Sequence, residues 1–245
     1  MRFIWACTLL ATTILCAQTS SPSLESNLYG NVSVVPHSRI RLLLPGGTFH
    51  GEEVKDVPKS GWLAFTFVHG VASLQPTTLH ITHTHDEISD DDNPQAKTGI
   101  IISNSGPRAY FLLHGIKPRA QVLTFQIDKD GIPLSQRFSI QSKDLDAELE
   151  ILAPVTGQDG FKTVGAGSRI VFREHGIEQE LAHFGDEFND GHVSILWLGD
   201  LDGDGKLDLL LDISGHYNVM NPVLFLSKGA PQLVQAVASF PTTGC

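Results

Sequence analysis

The densest chemistry in this chain of 245 residues lies between Gly199 and Asp208, read Gly-Asp-Leu-Asp-Gly-Asp-Gly-Lys-Leu-Asp. Counting from Asp200, carboxylates stand at positions 1, 3 and 5 (Asp200, Asp202, Asp204), a glycine, Gly205, at position 6, and a further carboxylate, Asp208, at position 9. Calcium is a hard cation that takes several oxygens at about 2.3 to 2.6 Å, and a tightly curled backbone aims alternate side chains at one centre. The expected ligands are the side chains of Asp200, Asp202, Asp204 and Asp208, the backbone carbonyl of Lys206, and water. Without a cation the same curl is costly: two carboxylates 4 Å apart repel by about 4 kcal/mol at an effective dielectric of about 20. Lys206 sets one positive charge against four negative ones. Ca²⁺ is therefore the expected cofactor, in a structural role.

The flanks place this loop between strands. Val193, Ile195 and Trp197 alternate before it, and Leu207, Leu209 and Leu211 alternate after it, the period of a strand and not of a helix. An EF-hand would carry Glu at position 12, where this chain has Leu211. The run from Gly199 to Leu211, GDLDGDGKLDLLL, resembles the calcium loop of FG-GAP and VCBS repeats, the type found in integrin β-propellers. That resemblance implies calcium-ligand roles for Asp200, Asp202, Asp204 and Asp208, and by strand pattern it extends towards Asp186 and Ser227. A propeller needs several blades, and the chain has one such loop, which leaves a partial propeller completed by oligomerisation as a variant of this expectation.

A second group of ligand-type residues precedes it. His80, His83 and His85 lead into Asp86, Glu87 and residues 90–92, all aspartate. Thr82-His83-Thr84-His85-Asp86 resembles the His-x-His-x-Asp-His signature of metallo-β-lactamase-like hydrolases, with Glu87 and Ile88 at the places of its final Asp and His. On a strand His83 and His85 share one face and His80 takes the other, leaving two imidazoles and an incomplete site. A secreted metal-dependent hydrolase is the alternative function this cluster offers, requiring an open metal position and an activated water. His183, His192 and His216 are expected to be surface or hydrogen-bonded residues, because no Gly-x-Ser-x-Gly elbow nominates a serine nucleophile. Walker, dinucleotide-binding and Cys-x-x-Cys motifs are likewise absent from the sequence.

The elements that hold these groups must be mainly β. With 41% hydrophobic and 18% charged residues the chain can bury a core, while 23 glycines and 13 prolines interrupt any long helical pattern. Lys and Arg total 17 against 27 Asp and Glu, a net charge of −10 that opposes binding to nucleic acid. Strands are expected at residues 39–44, 62–68, 79–84, 98–103 and 110–113. Residues 121–128 and 133–140 flank Lys129-Asp130-Gly131 and read as a hairpin; residues 169–174 and 177–184 flank His175-Gly176 and read as another. Residues 145–151 alternate as a half-buried strand. Asp128 and Asp202 each begin an Asp-x-Asp-Gly turn, an echo too slight to define a repeat.

Arg2, an apolar run from residue 3 to 15, and Ala17 before a polar stretch have the layout of a secretory signal at residues 1–17. Leu15 stands before Cys16 where a lipoprotein signal has a small residue, which disfavours a lipid anchor. Cleavage would leave Cys245 as the single cysteine, a terminal residue poorly placed for catalysis, and no internal disulfide. After cleavage no segment is expected to span a membrane. The sequence thus predicts a lead-in at residues 18–33, a β-sandwich-like domain at 34–153, and a C-terminal antiparallel β domain at 154–245 that carries the calcium loop. The expected function is that of a secreted or periplasmic calcium-binding protein, non-enzymatic, presenting an interaction surface to protein, glycan or envelope.

Overall fold

The protein, seen in a computed structural model, is described at residues 30–134, 137–142, 145–152, 164–185, 191–229 and 231–243. The expected signal segment, most of the lead-in, the segment 153–163 containing the expected domain boundary, and Cys245 lie outside the described residues. What is described is mainly β, with antiparallel pairing throughout, no closed barrel, and a short 3-10 turn at Gly51–Val54. No helix among these residues is long and apolar enough to cross a membrane.

A five-stranded sheet forms the middle layer: β8 (Leu123–Pro133), β13 (His192–Asp200), β14 (Asp208–Ser214), β16 (Pro222–Gly229) and β17 (Gln232–Ser239), in the order β17-β16-β14-β13-β8. Every residue of β14 is buried, as are all but the two ends of β13. Strands covered on one face alternate apolar with polar; continuous burial means that both faces are covered. Leu209, Leu211 and Ile213 face one core, which they share with Leu149, Ile170 and Phe172 from an outer sheet. That sheet has the order β12 (Ile177–His183), β11 (Arg169–Glu174), β10 (Asp146–Leu152), β9 (Arg137–Gln141). Leu210 and Leu224 face the other way, onto Phe65, Leu74, Phe111 and Leu112. These come from a sheet ordered β1 (Arg41–Leu43), β7 (Phe111–His114), β3 (Trp62–Val68), β4 (Val71–Thr77). Hydrogen bonds between β8 and β13 therefore join residues on the two sides of segment 153–163 within one sheet.

Two smaller sheets accompany these layers. β2 (Thr48–Phe49), β6 (Gly99–Asn104) and β5 (Leu79–Thr84) form a three-stranded sheet, and β15 (Val219–Met220) pairs with β18 (Thr242–Thr243). The end of the lead-in and the residues just after it tie down the edges: the Asn31 N–H donates to the His183 carbonyl and the Val35 N–H to the Ala236 carbonyl, each at 2.9 Å.

Three sequence expectations change in detail. The run Val193, Ile195, Trp197 does not lie on one face, because Leu196 is an extra residue in β13: Ile195 pairs with Leu211 and Trp197 with Leu210. This bulge reverses the alternation, so that Val193 and Ile195 enter one core and Trp197 enters the other. The expected hairpin at Lys129-Asp130-Gly131 is instead an excursion within β8, whose pairing with β13 runs from Ile127↔Trp197 to Ile132↔Ile195. Pairing with β13 on both sides of the Asp-Gly turn outweighs the local hairpin preference. Gly131 takes φ 76°, and a Cβ there would come within 2.7 Å of the Ser194 Cβ. The strand at residues 39–44 is shorter than expected, at Arg41–Leu43. The hairpin at His175-Gly176 forms as expected: Glu174 pairs with Ile177, and both turn residues have positive φ.

Charge is kept on the outside of the outer sheet. Arg137 stands opposite Glu150, and Arg173 stands between Glu148 and Glu178 on neighbouring strands. Arg137 Nη2 donates to Glu150 Oε1 at 2.8 Å, Arg173 Nη1 to Glu148 Oε1 at 3.0 Å, and Arg173 Nε to Glu178 Oε2 at 2.8 Å. The Arg137 and Arg173 hydrogen bonds hold Glu150 below the usual glutamate range.

The join between the middle layer and the β3–β7 sheet centres on Trp197. Its ring meets Phe65 and Phe111 edge-on, at centroid separations of 5.6 and 6.0 Å, and its Nε1 donates to Thr124 Oγ1 at 3.2 Å. A Cβ on Gly199 would lie 2.3 Å from the Trp197 ring and 2.1 Å from the Leu123 carbonyl oxygen. Trp197→Ala is expected to cost about 3–5 kcal/mol through cavity formation, and Gly199→Ala about 1–3 kcal/mol through overpacking. Urea unfolding followed by circular dichroism measures both; wild-type midpoints would contradict this account of the layer junction.

Candidate metal centre

The acidic loop leaves β13 at Asp200 and re-enters the sheet at Asp208, so two of its carboxylates are fixed by neighbouring central strands. Even-numbered residues of β14 point away from the core lined by Leu209, Leu211 and Ile213. Asp208 therefore sits at the end of the face that Leu210 occupies further along, with no exposed surface. Its two oxygens are held by the backbone: the Leu201 N–H donates to Oδ2 and the Ser227 N–H to Oδ1, each at 2.7 Å. The latter bond comes from β16 and links the loop to a third strand of the sheet.

Asp200 organises the curl. Its Oδ1 accepts the N–H groups of Gly203 (2.6 Å) and Asp204 (3.1 Å), and its Oδ2 that of Gly205 (3.0 Å). Gly203 and Gly205 have φ 78° and 84°, a left-handed conformation that glycine reaches without steric cost. Asp202 Oδ1 accepts the Asp204 N–H at 3.2 Å. One oxygen each of Asp200, Asp202 and Asp208 lies within 4.8 Å of the others.

The electrostatics are those of carboxylates crowded together. Burial pushes the Asp208 carboxyl up to about 7, against the opposing pull of the Ser227 and Leu201 N–H groups. Burial raises Asp202 too, with a further contribution from the charge of Asp204. The donors are oxygens only, the set that suits a hard divalent cation and not a thiolate- or imidazole-preferring one. Asp200, Asp202 and Asp208 offer the oxygen donors that a hard divalent cation takes, close enough together to share one.

Asp204 and Lys206 stand differently from these three. Asp204 Oδ2 accepts the Ser227 Oγ–H at 2.7 Å, Oδ1 accepts the Lys206 N–H at 2.9 Å, and the Lys206 ammonium lies 3.8 Å from Oδ2. Asp204 is outside the three-carboxylate cluster and pins the far side of the loop to β16. The sequence reading missed Arg119, whose Nη1 donates to the Asp202 carbonyl at 2.5 Å. Its guanidinium fills the space beside Gly203, where a Cβ would fall within 1.8 Å of Nη2. No sequence signal marks Arg119, because its partner lies 83 residues away.

The histidine cluster does not assemble into a metal site. Among the described residues, Asp200, Asp202 and Asp208 are the only three metal-ligand side chains brought so close together. His80 and His83 are exposed on β5, opposite Ser103 and Ile100. The acidic segment beyond them is a hydrogen-bonded loop built on two buried aspartates, Asp86 and Asp90. His50 Nδ1 lies 2.6 Å from Asp86 Oδ2, while Oδ1 accepts the N–H groups of Ile88 (3.0 Å) and Ser89 (3.1 Å). The His50 hydrogen bond, with the Ser89 N–H next, holds Asp86 far below the ordinary aspartate range. Asp90 Oδ2 accepts the Asp86 and Thr98 N–H groups, and Oδ1 accepts the Thr98 hydroxyl. Burial works to raise Asp90, and these bonds outweigh it.

A Ser-His-Asp set does occur at the opposite end of β14. His192 Nε2 lies 3.1 Å from Asp212 Oδ2, and the Ser214 hydroxyl donates to Asp212 Oδ1 at 2.7 Å. The serine is thus bonded to the aspartate and not to the histidine, the reverse of the order that activates a nucleophile. The Asn221 N–H adds a third bond to Asp212 at 2.7 Å, so the group fastens β14 to the start of β16.

Fold and loop together define an antiparallel β protein with an acidic inter-strand loop. No known protein family, curated protein or solved structure matches the chain.

The Asp86 loop makes a prediction with a definite sign. A carboxyl depressed in the folded state contributes stability above its ordinary value of 3.8, and that contribution is lost as pH falls through the lower folded value. His50→Ala is therefore expected to destabilise most above about pH 4, with the deficit shrinking towards pH 2. Urea unfolding at neutral and acidic pH measures the difference; a deficit that grows on acidification would contradict the pairing.

Proposed function

We propose that the protein binds one Ca²⁺ through Asp200, Asp202 and Asp208, and that the ion is structural, locking the β13–β14 turn and the adjoining strand β16 into an interaction surface. The observation that carries this reading is the convergence of three carboxylates, one of them fully buried at the end of β14, the central strand of the middle sheet. A carboxylate in that position is disfavoured without a cation, and a divalent ion supplies the missing charge. The Lys206 carbonyl and water would complete the oxygen set, while Asp204 supports the loop through Ser227. The likeness of residues 199–211 to FG-GAP and VCBS loops agrees with this reading, as does the position of the loop between two strands.

The role is non-catalytic in this proposal. Ligands held by backbone N–H groups on both sides are suited to rigidity, and the exported setting read from residues 1–17 would supply calcium. Protein, glycan or envelope partners are the expected contacts of the surface so fixed.

Isothermal titration of chelator-treated protein should show one site for Ca²⁺, and saturation at about a hundred times the dissociation constant should add about 2.7 kcal/mol of stability. That corresponds to a rise in Tm of about 5–10 °C for a chain of this size. No heat at millimolar Ca²⁺, together with an unchanged Tm, would refute the site. Asp202→Asn retains the oxygen that accepts the Asp204 N–H while removing one charge. It should leave the metal-free protein as stable or slightly more stable, yet weaken Ca²⁺ binding by about tenfold or more. An unchanged Ca²⁺ affinity in this variant would remove Asp202 from the ligand set.

A further inference from the structure

A cavity of about 690 Å³ opens where the β3–β7 sheet, the middle layer and the β15–β18 pair meet. It shares no lining residue with the acidic loop. Phe49, Phe67, Phe111, Met220 and Phe240 are among its apolar lining residues, which stand beside charged ones. Phe67 and Met220 remain 41% and 40% exposed, although each is large enough to contribute about 1.5–3 kcal/mol if covered. The volume lies within the range of pockets that enclose small organic ligands.

The charges at its rim distinguish this cavity from an ordinary apolar cleft. Glu53 is already committed, since Oε1 accepts the Thr243 N–H at 2.6 Å and Oε2 the His50 N–H at 2.9 Å. Asp130 has a partner of its own. Arg108 has no hydrogen bond or ion pair among the described residues, in a chain where 27 acidic residues outnumber 17 basic ones. Its guanidinium lies over Gly46, whose φ is 118° and where a Cβ would come within 2.7 Å of Nη2. Asp128 carries only the local bond from the Asp130 N–H, at 3.0 Å, and has no cationic partner among the described residues. The excursion in β8 between Ile127 and Ile132 brings Asp128 to the cavity wall. Arg108 and Asp128 thus line one cavity, with opposite charges, and are not bonded to each other.

We propose that this cavity binds a short apolar peptide with free ends, its carboxylate on Arg108, its ammonium on Asp128, and its side chains against Phe67, Phe111 and Met220. A ligand carrying one charge alone would leave the opposite rim charge unanswered, whereas a zwitterion with an apolar body answers both. Guanidinium matches carboxylate through paired N–H donors, and a carboxylate accepts readily from an ammonium. The site is independent of the acidic loop.

The test is calorimetric titration of the full chain with Leu-Phe and Leu-Phe-Leu, each free, N-acetylated and C-amidated, both in Ca²⁺ and in chelator. At least one free peptide should bind, and each cap should weaken it by about tenfold or more, the worth of one hydrogen bond to a charged group. Arg108→Gln should bring the free and amidated forms to the same affinity, and Asp128→Asn should do so for the free and acetylated forms. Both positions lie on the rim, and circular dichroism confirms that the variants are folded. Equal binding of free and capped peptides overturns the proposal, as does tighter binding of a capped form or no heat from any of them. Loss of Ca²⁺ binding with peptide binding intact would refute only the metal site.

Discussion

A carboxylate without exposed surface, Asp208, stands at the point where the acidic loop re-enters the central sheet. It accepts one N–H from the loop and one from β16, so the path of the loop and the position of a neighbouring strand depend on the same side chain. Burial raises its pKa to about 7, with the Ser227 and Leu201 N–H groups pulling the other way. Asp200 and Asp202 then add negative charge within a few ångströms. Residues 202–206 of the loop stay exposed, while the sheet buries Asp208.

The middle layer imposes that requirement. With both faces of β13 and β14 covered, polar side chains on those strands fall within the first three or last three residues. Asp208 holds one end of β14, and Asp212 with Ser214 the other, each aspartate bonded to a backbone N–H from the β16 side. The outer sheet answers a different condition. Its outward face is wet, and Arg137, Glu148, Glu150 and Arg173 form a charged ladder whose pairs stand directly opposite one another across the strands. Acidic residues elsewhere are stabilised locally, as Asp86 and Asp90 are by His50, Thr98 and nearby N–H groups. The chain's excess of acidic residues is therefore spread among distinct tasks, and the proposed metal loop accounts for only part of it.

The two candidate binding regions differ in the same physical way. At the loop, like charges converge, one of them buried on β14 and another exposed on the turn; at the cavity, Arg108 and Asp128 line one pocket and are not bonded to each other. The β8 excursion that creates the second arrangement is also the place where local turn preference yielded to sheet pairing.

The sequence by itself determined the β class, most strand positions, the His175-Gly176 hairpin and the acidic loop with Asp200, Asp202 and Asp208. These are written in local periodicity and spacing, and a period of two or a turn residue acts within a few positions of itself. The tertiary structure alone decided that β13 and β14 are covered on both faces, that Leu196 bulges and turns Trp197 into the second core, and that the Asp130-Gly131 turn stays inside β8. It also decided that Arg119 fastens the loop, that His50 pairs with Asp86, and that Arg108 and Asp128 share a cavity. Those outcomes depend on contacts between residues far apart in the chain, whose energies appear only when layers pack.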